Sequence, residues 1–88
     1  MPALSMFFGL VVYMYYAPKE HNPPHIHVEY QGQDSTFSIL DGNLIDGELS
    51  QKHIRLVQAW MEIHKEELIA NWDLCQNGKE PFRIEPLK

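Results

Sequence analysis

Eighty-eight residues, 44% of them hydrophobic and 22% charged, make one domain over residues 1–88, because a chain this short closes around a single core. One cysteine excludes an internal disulfide and points to a reducing, cytoplasmic setting. The longest apolar run, eleven residues over 6–16, falls short of the roughly 20 that a membrane helix needs, so no membrane partner is expected. The net charge of −5 is unevenly spread. Between Lys19 and Lys52 there is no Lys or Arg, while Glu20, Glu29, Asp34, Asp41, Asp46 and Glu48 are all acidic, which opposes a nucleic-acid backbone along that stretch.

In chain order, residues 10–16 (LVVYMYY) are β-branched and aromatic with no polar face, as in a strand covered on both sides, and Gly9 is read as a bulge at its start. Residues 17–24 (APKEHNPP) form a loop, since three prolines remove ladder donors. Residues 25–30 (HIHVEY) alternate: His25, His27 and Glu29 point one way, Ile26, Val28 and Tyr30 the other. A type II′ turn at Gly32-Gln33 then sets Gln31 against Asp34, Val28 against Phe37, Ile26 against Ile39 and His27 against Ser38. Asp41-Gly42 and Asp46-Gly47 leave at most a short edge strand between them.

Ser50 is the N-cap of a helical stripe through Ile54, Val57, Met61, His64, Leu68, Trp72 and Cys75, widened by Leu56, Trp60 and Ile63. Asn77-Gly78 stops it. Periodicity leaves open whether residues 51–76 are one helix or two joined near His64, and residues 82–87 pack back as an extended segment. The expected fold is α+β: an antiparallel sheet of three or four strands, then one long or two shorter helices packed on the face of Ile26, Val28, Phe37 and Ile39.

The segment His21-Asn22-Pro23-Pro24-His25-Ile26-His27-Val28-Glu29 places three of five histidines within seven residues. Three chemistries fit it. His25 and His27, at i and i+2 on one strand face, can converge on zinc or nickel with Glu29 or His21 as third ligand. The same pair can act as general acid and base in metal-independent RNA cleavage. Tyr13 with Tyr15, or Tyr16, would then stack a base, and Arg55, Lys79 or Arg83 would reach a phosphate. The third is binding without catalysis, in which the polar and aromatic face or the Pro-Pro loop docks a protein. Elsewhere, His64, Trp60, Trp72 and Cys75 lie on the apolar stripe and read as core.

Through FFGLVVYMYY, HNPPHIHVEY, GELS, LVQAW, NW and IEPL, the chain resembles the bacterial family known as domain of unknown function 4160, collinearly from Met1 to Leu87. The resemblance implies a small cytoplasmic protein encoded beside a second small protein of the domain of unknown function 2442 type. That pairing suggests a toxin-antitoxin-like module. The expected role is therefore a partner-binding component of such a module, with no cofactor. The alternatives are a His-pair ribonuclease toxin and a protein that binds zinc or nickel through His25, His27 and Glu29.

Overall fold

A computed structural model describes residues 3–15 and 23–88. His21, Tyr16 and most of the proline loop lie outside the described residues. Five strands run in sequence order as an antiparallel meander: β1 (Ala3–Phe7), β2 (Leu10–Tyr13), β3 (His25–Tyr30), β4 (Gln33–Ser38) and β5 (Leu44–Asp46). Two helices follow, α1 (Gln51–Ile63) and α2 (Lys65–Gln76). The α+β order is as expected, with one strand more than the upper expectation.

The extra strand is β1. Phe8 and Gly9 have φ of 49° and 80°, the two left-handed residues of a type I′ hairpin turn. Gly9 is therefore the second corner residue of a hairpin rather than a bulge, and what reads as one apolar run is two strands folded on each other. The bulge sits in β1 itself, where the register shifts between Ala3 and Ser5. It lets Leu4 and Ser5 both be buried.

The β3–β4 turn differs in the same way. Gln31 and Gly32, with φ of 50° and 81°, are its corners, and the pairs are Tyr30 with Gln33, Val28 with Ser35, Ile26 with Phe37 and His27 with Thr36. The Gly32-Gln33 turn expected from sequence moves every partner by two positions. A two-residue shift leaves each side chain on its face, so a period-two pattern cannot distinguish the two registers. The face assignments accordingly hold: Ile26, Val28 and Phe37 are 0% exposed, and they join Leu10, Val12, Val57, Trp60, Leu68 and Trp72 in one core.

Both helices lie on that face. The Ser50 hydroxyl accepts the His53 amide at 3.3 Å and caps α1. The stripe breaks at His64, whose φ of −111° and ψ of 23° leave the helical region. The backbone bonds continue across it, His64 N–H to the Trp60 carbonyl and Leu68 N–H to the His64 carbonyl. The His64 ring stands 2.5 Å from Glu67 Oε1, so it is a hydrogen-bonded junction residue. Ile63 does not widen the stripe; it is 66% exposed, carried outward by the bend. After α2 the Gly78 and Lys79 amides bond to the Cys75 and Leu74 carbonyls, a Schellman stop. The C-terminal segment then returns to the domain. Asn71, itself buried, clamps Phe82 through both backbone groups at 2.9 Å, the Trp60 indole N–H donates to the Glu85 carbonyl at 2.8 Å, and the Ile84 amide donates to the carbonyl of the bulged Leu4 at 2.8 Å.

Two substitutions test this packing. Trp72 is 6% exposed, so Trp72→Ala should destabilise by about 3–5 kcal/mol in denaturant titration; a loss below about 1 kcal/mol would place it on the surface. Gly47 has φ of +85°, and a Cβ there would stand 2.5 Å from the Asp34 carbonyl oxygen. Gly47→Ala should accordingly cost about 1–3 kcal/mol or more, whereas Gly78→Ala, in open space, should cost less.

Candidate functional site

Alternation in β3 sends His25, His27 and Glu29 to the face opposite the buried Ile26 and Val28. The antiparallel ladder then selects their neighbours. Tyr13 of β2 is the cross-strand partner of His27 on one side and Thr36 of β4 on the other. Glu29 stands between Val11 and Asp34, and His25 opposite Ser38.

The result is a cluster of rings. The Tyr13 ring lies parallel to His27 at 5.5 Å between centroids. Tyr15 meets the His27 ring edge-on at 4.6 Å and the Tyr13 ring at 5.8 Å. His25 meets His27 edge-on at 5.1 Å. It also reaches Trp72 of α2 at 5.1 Å, so at this end of the sheet one residue of the helical stripe touches the histidine face. Trp72 thus has a second role beside its place in the core. Its period of 3.6 announces burial but not which ring it meets.

Two polar anchors fix the cluster. The carbonyl oxygen of Pro23 lies 2.8 Å from His25 Nδ1. A carbonyl only accepts, so Nδ1 carries the proton in the neutral ring and the basic lone pair is on Nε2. The Tyr13 hydroxyl donates to Asp34 Oδ1 at 2.7 Å. Burial first, then the bond to Asp34 and its charge, hold the Tyr13 phenol well above its ordinary range. Asp34 was absent from the sequence-based candidates. Its signal was the alternation of Asp34, Thr36 and Ser38, which puts it on this face.

Of the sequence candidates, the structure brings together Tyr13, Tyr15, His25, His27 and Glu29. It does not bring the basic candidates to them. Arg55 is exposed on α1, the helix packed on the opposite face. Arg83 lines a groove with Met6 and Glu67 beside β1, and Lys79 sits in the stop after α2. His21 lies outside the described residues. Among the described residues, no group of three or more His, Cys, Asp or Glu is placed to hold a metal ion, the trio His25, His27 and Glu29 included. Cys75 is buried and its thiol pushed up to about 11 by desolvation, so it is inert as a nucleophile at neutral pH. No helix among the described residues is long and apolar enough to cross a membrane.

The Tyr13–Asp34 bond predicts an alkaline effect. The folded phenol keeps its proton where the unfolded one, near its ordinary value of about 10, loses it. The stability this contributes is full below about pH 10 and is lost as pH rises above that. Tyr13→Phe should cost about 1 kcal/mol at pH 7, and the gap to the native protein should narrow above pH 10 in urea titrations. A gap that stays constant would show that Tyr13 titrates alike in both states.

A family model described as Domain of unknown function (DUF4160) matches residues 9–73, a span that holds all four ring-cluster residues of β2, β3 and the segment after β2, and Trp72. No curated protein and no solved structure matches the chain.

Proposed function

The chain belongs to the family described as Domain of unknown function (DUF4160), and we propose that it is a partner-binding module whose histidine and tyrosine face docks a protein, as one component of a two-gene, toxin-antitoxin-like pair. The carrying observation is the ring cluster itself. Tyr13, Tyr15 and His25 all contact the His27 ring, forming a preorganised aromatic and hydrogen-bonding surface of the kind enriched at interface hot spots. The proposed partner is the small protein of the domain of unknown function 2442 type suggested by the family resemblance.

One observation favours a catalytic reading as well. The Pro23 carbonyl orients His25 as a backbone carbonyl orients a general base, and a second imidazole stands next to it. Against that, the described part of the face carries no Arg or Lys to stabilise a pentavalent phosphate, and it presents Glu29 and Asp34 to an incoming backbone.

Calorimetry with the purified companion decides. His27→Gln and Tyr15→Ala should each weaken binding by about 1–2 kcal/mol, roughly 5- to 30-fold, with no RNA turnover in chelator. RNA cleavage in chelator that follows a bell-shaped pH profile and is abolished by His25→Ala would replace the binding reading by the ribonuclease one. A melting temperature raised by zinc or nickel in the native protein but not in His27→Ala would establish the metal reading instead.

A further inference from the structure

We propose that the sheet face turned away from the helices takes a basic segment of its protein partner, with an arginine side chain entering beside Tyr13 between Glu29 and Asp34. This rests on the reading of that face as a docking surface and names the chemistry of what docks there.

Charge is the first argument. Glu29 and Asp34 are direct cross-strand partners, and like charges set opposite each other destabilise a sheet. Among the described residues neither carboxylate is ion-paired to a Lys or Arg, and residues 20–51 contain none. Neutral hydrogen bonds hold the two carboxylates in place but do not cancel their like charge, which a cation from outside would relieve.

Geometry is the second. Each carboxylate is held by the fold through one oxygen: Glu29 Oε2 accepts the Gly32 amide at 3.3 Å, and Asp34 Oδ1 accepts the Tyr13 hydroxyl at 2.7 Å. The remaining oxygens, one on each strand, suit the planar fork of a guanidinium better than the point charge of an ammonium. A shallow depression of about 490 Å³ lies there, with Ala3, Val11 and Tyr13 as its apolar wall and Gly32 at its rim. Gly32, with no side chain, keeps that rim low.

Extent is the third. The depression adjoins, through Tyr13, the rings of His27 and Tyr15. A lone cation fills only the carboxylate end, whereas a polypeptide places an arginine there and lays its neighbouring residues on the rings.

The test uses a short peptide alternating arginine and valine, and the same peptide with citrulline or lysine in place of arginine, titrated into the labelled full-length protein by NMR. The arginine peptide should shift the amides of Val11, Glu29, Gly32 and Asp34 and bind about tenfold tighter than the citrulline peptide, with the lysine peptide between them. Binding should weaken with salt. Glu29→Gln keeps an acceptor for the Gly32 amide but removes one charge. It should weaken the arginine peptide about tenfold while leaving the melting temperature unchanged or higher, a pairing that a merely structural Glu29 would not give. Equal binding of the arginine and citrulline peptides, shifts confined to the helices, absence of binding, or spermidine competing as well as the peptide would each overturn the proposal. Should the companion protein still depend on Tyr15 while ignoring Glu29→Gln, the docking reading stands and the arginine subsite falls; should it depend on neither, the docking reading itself falls.

Discussion

Burial of one face of β3 is the constraint from which the rest of the molecule follows. Ile26 and Val28 are fully enclosed by the helices, and each contributes roughly 1.5–3 kcal/mol by leaving water. Because successive side chains alternate, anchoring these two commits His25, His27 and Glu29 to the other face with no further interaction needed. The ladder with β2 then brings Tyr13 against His27, and that with β4 brings Asp34 against Glu29. A one-residue slip would place both imidazoles in the core and expose Ile26 and Val28. The hydrophobic term therefore fixes the face on which the candidate site lies, although among the core residues only Trp72 is seen in ring contact with it.

A two-layer domain of this size leaves its helices bare on the outside, and the chain meets this with its own C-terminal segment. Asn71 and Trp60 each direct a polar group at that segment's backbone, so residues that are buried are also hydrogen-bonded. The bulge in β1 exposes the Leu4 carbonyl to the Ile84 amide, which covers part of an edge strand that would otherwise present unpaired groups. The bend at His64 belongs to the same closure. A straight helix over residues 51–76 would be about 39 Å long at 1.5 Å per residue, longer than the 33 Å greatest dimension of the domain. Folding it at His64 keeps both Trp60 and Trp72 over the sheet.

Much of this was legible from pattern. The two faces of β3, the Ser50 cap, the helical stripe and the returning tail rest on periodicity and capping, which are local. What escaped was whatever period two cannot distinguish. Gly32 was assigned to the first corner of its turn rather than the second, because both choices put Val28 and Phe37 on one face. The β1 hairpin was hidden because Phe8, an apolar residue in a left-handed turn position, carries none of the Asn or Asp signals that mark such turns. In the site, Tyr13, Tyr15, His25, His27 and Glu29 share a face by alternation, which is a sequence property. The approach of Trp72 to His25 depends on where α2 crosses the end of the sheet, and the remoteness of Arg55 and Arg83 depends on which layer they occupy. Neither is encoded in any local spacing.

The arrangement around His27 bears on what the face is built for. A catalytic imidazole needs an approach path to one nitrogen and a neighbouring charge that steadies the transition state. His27 instead has one ring lying parallel to it and two others edge-on, so it is one member of a packed aromatic surface. Tyr13 couples that surface to the carboxylate pair, since the same side chain stacks on His27 and donates to Asp34. Through that one tyrosine the ring stack and the carboxylate pair are held as a single piece of surface.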